Sequence, residues 1–201
     1  AAQLPQPALP SPYTGTRREF PAAVPFAKDN APRYSARAWA ERFREALAAM
    51  LPVFARFRAG FAGKASPVHF WWGSFDLAAS VFSGRKAPPH HGGVPGLPDR
   101  IAREAYSHEV ASAGFWAGGA TPAEPFFYSY TYPEPAGYRE ASVAHGRFDT
   151  DFGEWVLPYA EVQASAEPER MVGEFFRSAY EAGASLAAWD RPALEREPVA
   201  P

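Results

Sequence analysis

Apolar side chains between about Ser35 and Gly63 follow a helical spacing. They recur every three or four positions, at Trp39, Phe43, Leu47, Met50, Phe54, Phe57 and Phe61. This stripe predicts an amphipathic helix with an aromatic-rich buried face. Pro52 lacks the amide hydrogen that a continuous helix needs, so we expect a kink or a restart there. A second stripe predicts a helix from about Pro168 to Trp189.

A strand pattern with one break in phase lies between the two helices, in the segment SPVHFWWGSFDLAASVFSG at 66–84. The alternation slips at Gly73-Ser74, where a two-residue hairpin or a β-bulge would keep the apolar residues on one face. The side chains predicted to be buried against both helices are Phe70, Trp72, Phe75 and Leu77. The side chains predicted on the opposite face include His69, Trp71 and Asp76.

Three further strands are predicted in EAYSHEVASAGFWAG, EPFFYSYTYPEP and GEWVLPY. In the first, alternation places Tyr106, His108 and Trp116 on one face and Glu109 on the other. Tyr128, Tyr130 and Tyr132 form an aromatic row on the second. Because no helical crossover separates the strands, we predict an α+β fold: an antiparallel sheet of about four to five strands packed by two long helices.

The chain of 201 residues is predicted to hold one domain at 34–192. Residues 1–33 are rich in proline and are interpreted as an extended arm, and residues 193–201 as a tail. The segment GRKAPPHHGGVPGLPDR, at 84–100, is interpreted as a long loop inside the domain, and such loops are often functional or disordered.

Charge and composition exclude several classes of protein. The net charge is -2 and no basic stripe is present, so nucleic-acid binding is not expected. No apolar run is long enough for a membrane-spanning helix. The chain has no cysteine, which excludes thiolate catalysis and disulfides and fits the reducing cytoplasm that we predict as its location.

Histidines and carboxylates are the candidate chemical groups. We expect His69, Asp76 and His108 to line one cleft, with Trp71, Tyr106 and Trp116 as walls and the His90-His91 loop as a lid. The groups that could supply ligands to a divalent metal are His69, Asp76, His90 and His108, although their spacings are not diagnostic. The alternatives are a hydrogen-bonded core histidine at His69 and, at Asp76, a turn or strand-end carboxylate paired with Arg85 or Lys86.

Three blocks of the sequence resemble a known family. GKASPVHFWWGSFDLAASVFSGRKAPPH, REAYSHEVASAGFWAGG and PFFYSYTYPEP are similar to signature blocks of a bacterial family, domain of unknown function 5996. The resemblance runs from about Phe20 to Trp189 and implies no activity. Its motif residues would be His69, Asp76, Arg85, His90, Tyr106, His108, Glu109 and Trp116. It also implies that this chain is the C-terminal part of the family, associated with an upstream β-rich half.

Three hypotheses about function follow. The first is a domain that binds a small molecule or a protein partner in a cleft lined by His, Asp and Trp, with binding residues His69, Trp71, Asp76, Arg85, His90, Tyr106, His108 and Trp116. The second is a metal-dependent hydrolase that uses the histidines and carboxylates. The third is a structural half that docks on another domain.

Overall fold

The computed structural model describes Lys28 and residues 37–71, 73–94, 97–119 and 124–196. The predicted arm at 1–33, apart from Lys28, and the predicted core residue Trp72 therefore lie outside the described residues. In chain order the elements are α1 Arg37–Ala59, β1 His69–Trp71, β2 Asp76–Lys86, α2 Asp99–Ala105, β3 His108–Trp116, β4 Phe126–Tyr132, β5 Arg147–Asp149, β6 Glu154–Pro158, α3 Tyr159–Ala164, α4 Pro168–Leu186 and α5 Arg191–Leu194.

The strands form one antiparallel sheet in the order β1-β2-β3-β4-β6-β5. The predicted α+β class is confirmed, with six strands where about four to five were expected. The extra strand, β5, has only three residues and follows a region of turns, so its alternation is too short to be recognised. Both edge strands, β1 and β5, are equally short.

The two long helices cover one face of the sheet. Phe54 of α1 and Phe176 of α4 are fully buried, with their ring centroids 4.9 Å apart, and Phe127 of β4 packs beneath Phe176. The helical stripes predicted from the spacing therefore form the core. Helix α1 continues through Pro52, so the restart considered there does not occur.

The turn between β1 and β2 differs from the prediction. It spans residues 72–75, since Trp71 pairs with Asp76 across the strands. Leu77 is buried as predicted, and Phe70 is partly buried against the core. Phe75 was predicted to be buried but is 43% exposed, because it lies in the turn with a φ of 66°; its ring stacks on Phe43 at 5.3 Å.

Two short helices fall where other structure was expected. Helix α2 begins at Asp99, at the end of the predicted loop, and leaves His108 as the first residue of β3. Helix α5 lies partly in the predicted tail, and the Ala62 amide donates to the Leu194 carbonyl at 2.7 Å. Both helices are too short to show a helical period in the sequence. Within the described residues, no helix is long and apolar enough to cross a membrane.

Candidate functional site

The face of the sheet turned away from α1 and α4 carries a cavity of about 630 Å³. Strand register builds its floor, because Asp76 lies opposite Trp116 and Ser80 opposite Ser112, and Ser112 in turn lies opposite Tyr130. The described residues that line it are Ser66, Trp71, Ser74, Asp76, Ala78, Ser80, Phe82, Leu97, Ala105, Tyr106, Val110, Ser112, Trp116, Phe126, Tyr128, Tyr130, Phe152 and Glu154.

Asp76 begins β2 and is a buried carboxylate with two hydroxyl donors. The Ser74 hydroxyl donates to Oδ1 at 2.5 Å, and the Tyr128 hydroxyl donates to Oδ2. Burial raises the pKa of Asp76, while both hydrogen bonds act in the opposite direction by stabilising the charged form. Both oxygen atoms of this carboxyl are therefore already engaged within the protein.

Glu154 begins β6 and supplies the second carboxyl of the cavity. Burial raises its pKa to about 8, and the nearby carboxylates of Asp76 and Asp149 add to the shift. Asp149 faces it directly across β5 and β6. Within the described part of the chain, no side chain or backbone amide donates a hydrogen bond to Glu154. The described residues therefore leave its carboxyl available to a hydrogen-bond donor.

Three tyrosines extend the hydroxyl-lined surface beyond Asp76. The rings of Tyr128 and Tyr130 lie nearly parallel, with centroids 6.2 Å apart, and the Tyr130 hydroxyl lies 3.1 Å from that of Tyr106. Burial raises the pKa of all three phenols, so each remains a neutral hydroxyl at physiological pH. They can donate as well as accept hydrogen bonds.

Aromatic side chains form the walls near Asp76 and Glu154. The indole of Trp116 donates from Nε1 to the Ser74 carbonyl at 3.1 Å, which fixes the ring beside the turn. Phe126 packs against Trp116 with centroids 5.6 Å apart, and Phe152 stacks on Phe126 at 5.8 Å. Trp71 is 45% exposed at the margin. These rings offer flat apolar surfaces to a ligand.

A family model matches residues 2–196. The chain belongs to the family of unknown function DUF5996. The match covers nearly the whole chain and so extends beyond the three blocks that carry the resemblance. Comparison with curated proteins and with solved structures finds no match.

The structure of this DUF5996 chain brings four of the predicted binding residues to the cavity. Trp71, Asp76, Tyr106 and Trp116 all line it. Tyr106 does so as the residue that follows α2 and not as part of a strand. That these residues bind a ligand stays a prediction, which we take up below.

His69 and His108 share the expected sheet face but do not reach one site. His69 pairs with Ala78, which lies opposite Gly114, and His108 is six positions from Gly114 along β3. At about 3.3 Å per strand residue, the two histidines are separated by roughly 20 Å along the strand. His69 is exposed beside the Trp71 ring, at 4.7 Å between centroids. His108 lines a second, smaller cavity of about 290 Å³.

His90 and His91 do not line the DUF5996 cavity, which the same loop reaches through Leu97. His90 is buried behind its wall, with its ring stacked on Tyr106 at 4.8 Å, and the Gly92 amide donates to His90 Nδ1 at 3.0 Å. Burial lowers the pKa of His90, which keeps the ring neutral. His91 stacks on its outer side at 4.5 Å. His90 thus supports Tyr106 from behind.

Arg85 and Glu109 form an ion pair on the helix side of the sheet. Arg85 Nη2 lies 2.7 Å from Glu109 Oε2 and also donates to the Ala187 carbonyl at 2.6 Å. Glu109 therefore faces away from the cavity, as predicted from alternation. The pair connects β2 and β3 to the C-terminal end of α4.

The predicted metal ligands do not come together. His69, Asp76, His90 and His108 all lie in the described ranges, and those ranges contain no group of three or more His, Cys, Asp or Glu side chains that could hold a metal ion. These residues are too far apart: His69 lies on the edge strand β1, Asp76 on the cavity floor, His90 in the loop behind Tyr106, and His108 at the far end of β3. This arrangement gives no support to the metal-dependent hydrolase hypothesis.

Sequence reasoning missed Glu154 as a site residue. In GEWVLPY, Glu154 is the polar residue of a strand whose neighbours Trp155, Val156 and Leu157 are all buried. The signal available in the sequence was a single acidic residue in an otherwise apolar strand segment. Its partnership with Asp76 depends on β6 pairing with β4, which the sequence does not specify.

Proposed function

We propose that the cavity on the open face of the sheet is a binding site for a small organic molecule. The observation that carries the proposal is the presence of two carboxyl groups, from Asp76 and Glu154, in one aromatic-walled cavity of about 630 Å³. That volume falls within the range typical of ligand pockets, and a few polar groups among apolar walls are their usual composition.

The side chains divide this recognition into two parts. Trp116 and Phe126 offer flat surfaces on which a planar or alicyclic ligand would stack. Glu154 and the hydroxyls of Ser80 and Ser112 lie on the floor and would orient the ligand by hydrogen bonds. We also propose a bacterial cytoplasm as the place of action; a cysteine-free sequence fits its reducing conditions, and cell fractionation would test the location.

A ligand-observed NMR screen of small aromatic and alicyclic compounds tests the proposal. Ala105 ends α2, is exposed and lines the cavity, so Ala105→Trp should fill the entrance while leaving the core intact. Ala164 ends α3 and is also exposed but does not line the cavity, so Ala164→Trp is the matched control. We expect compounds that bind the unmodified chain and Ala164→Trp but not Ala105→Trp. Binding that survives Ala105→Trp would place the ligands elsewhere and contradict the proposal.

A second candidate function is acid–base catalysis in the same cavity. The favouring observation is that burial brings the pKa of Glu154 to about 8, close to physiological pH, where a carboxyl group can both donate and accept a proton. Asp76, held by Ser74 and Tyr128, would supply a fixed negative charge nearby. Incubating each bound compound with the protein and following it by NMR tests this candidate. Turnover that Glu154→Gln abolishes while binding persists would support it.

A further inference from the structure

We propose that the ligand of the cavity is an organic cation with a flat apolar body. This inference rests on the proposed function, because it names the class of small molecule that the same cavity would select. It is carried by three observations: the charges in the lining, the carboxyl of Glu154 that accepts no hydrogen bond from the described residues, and the aromatic walls.

The lining is acidic and contains no basic side chain among the described residues. Two basic groups on strands of the sheet are engaged in other places: Arg147 on β5 pairs with Glu161 at 3.3 Å, and Arg85 pairs with Glu109 on the opposite face. Lys64 and His108 line the second cavity. An anionic ligand would therefore enter against two carboxyl groups and find no counter-charge in this lining.

Glu154 is the direct partner that a cation would meet. Asp76 already accepts hydrogen bonds on both oxygen atoms, whereas Glu154 accepts none from the described part of the chain. Because a buried, unpaired carboxylate is costly, Glu154 holds its proton at neutral pH, and an ammonium or amidinium group would favour its charged form by supplying both a counter-charge and donors. Asp149, which faces Glu154 across β5 and β6, adds to the same negative field.

The walls favour the same class of ligand. Trp71, Trp116 and Phe126 line the cavity together with the tyrosines, and the faces of aromatic rings attract cations through their quadrupole. The same faces repel anions and accept neutral flat molecules without a charge preference. The carboxyl groups and the aromatic walls of the cavity therefore favour the same ligand, a molecule that is cationic at one end and flat and apolar elsewhere.

Benzamidine, benzamide and benzoate form a probe series of nearly equal shape and of positive, neutral and negative charge. Binding is measured by ligand-observed NMR and by quenching of tryptophan fluorescence, since Trp71 and Trp116 line the cavity. We expect benzamidine to bind about tenfold or more tightly than benzamide, the gain typical of a charge-assisted hydrogen bond. Benzoate should not bind.

Glu154→Gln keeps the shape of the side chain and removes the charge, so it should bring the affinity for benzamidine down to that for benzamide. Glu169→Gln is the matched control, because Glu169 is an exposed carboxylate on α4, paired with Arg56 on the other side of the sheet. It should leave the preference unchanged. A preference for benzamidine that persists in Glu154→Gln would overturn the role given to Glu154.

A titration of the unmodified chain keeps the inference testable if the variant fails to fold. Deprotonation of Glu154 should raise the affinity for benzamidine between about pH 6 and pH 9 and leave that for benzamide unchanged. Equal affinity for the two compounds at every pH would overturn the inference. If screened compounds bind the cavity but prefer neutral or anionic forms, the inference fails while the proposed function stands. If no compound binds at the cavity, both fail.

Discussion

The Tyr128 hydroxyl donates a hydrogen bond to Oδ2 of Asp76 across an intervening strand. Tyr128 is on β4 and Asp76 on β2, and between them β3 presents Gly114, directly opposite Tyr128. A Cβ atom at position 114 would overlap the Tyr128 ring. The absence of a side chain at Gly114 therefore allows the phenol to lie over β3 and reach the carboxylate.

Gly114→Ala should displace Tyr128 and break its hydrogen bond to Asp76. We expect a loss of about 1–3 kcal/mol in the free energy of unfolding, as is usual when an extra methyl group enters a packed site. Urea denaturation measures this loss. Gly173 on α4 is the matched control, because a Cβ atom there meets nothing within 4 Å. Gly173→Ala should stabilise the chain by up to about 1 kcal/mol through helix propensity. A neutral effect of Gly114→Ala would mean that Tyr128 does not need the space.

Tyr128→Phe removes the hydroxyl but keeps the ring. Because that hydrogen bond holds the pKa of Asp76 down against the effect of burial, the pKa should rise further in the variant. We also expect a loss of about 1–2 kcal/mol in stability at neutral pH. Carbon-13 NMR of the Asp76 carboxyl and urea denaturation measure the two effects. In the control Tyr132→Phe, whose hydroxyl donates to the exposed Pro88 carbonyl at 3.1 Å, the pKa of Asp76 should not change.

Stability should fall as pH rises, because the pKa of Glu154 is about 8 in the folded protein against an ordinary 4.5. Below about pH 4.5 both states hold the proton, and between the two values only the folded state does. The stabilisation that protonated Glu154 gives to the folded state is therefore lost as pH rises towards 8. The loss in the free energy of unfolding is on the order of 3 kcal/mol, reduced for the partial exposure of the side chain to solvent. Asp76, whose pKa is also raised, acts in the same direction.

Glu154→Gln should remove most of this pH dependence and leave the variant more stable than the unmodified chain above pH 8. Unfolding free energies measured from pH 4.5 to pH 9 on both proteins test the expectation. Parallel curves for the two proteins would show that Glu154 ionises normally and is well solvated.

Phe176→Ala should cost about 3–5 kcal/mol, because the ring is fully buried between Phe54 and Phe127. Phe152→Ala is the informative comparison, since Phe152 is 48% exposed at the cavity and stacks on Phe126. It should cost less than about 1 kcal/mol but weaken ligand binding. Thermal and chemical denaturation measure the stabilities. A large loss from Phe152→Ala would show that this ring belongs to the core.

The alternation of residues predicted the two faces of the sheet well. Leu77 is buried towards the helices, and Asp76 and Trp116 lie on the other face, because a strand's period of two follows directly from its backbone geometry. The aromatic stripes of α1 and α4 were equally informative, since helix packing buries one face of each. Local patterns therefore specified the layers of the fold.

Which residues reach the cavity depends on distances between segments, and local sequence patterns do not specify those distances. His69 and His108 share a face, yet strand length keeps them about 20 Å apart. Glu154 enters the cavity only because β6 is inserted between β4 and β5. His90 turned inwards because Tyr106 offers it a ring on which to stack. Each of these outcomes is set by pairing between segments distant in sequence.

The packing of both long helices, α1 and α4, on one face of the sheet has a consequence for how the sequence can vary. Along β4, Phe127, Ser129 and Thr131 are buried under the helices, and Tyr128 and Tyr130 line the cavity. Under the proposed function, adjacent codons are therefore subject to different selection, one for folding and the next for ligand binding. A deep mutational scan of this strand should show two interleaved profiles, with abundance most sensitive at odd positions and binding at even ones, and with Tyr128 sensitive in both because its hydroxyl holds Asp76. Ligand specificity could then be redesigned at every second residue without repacking the interior.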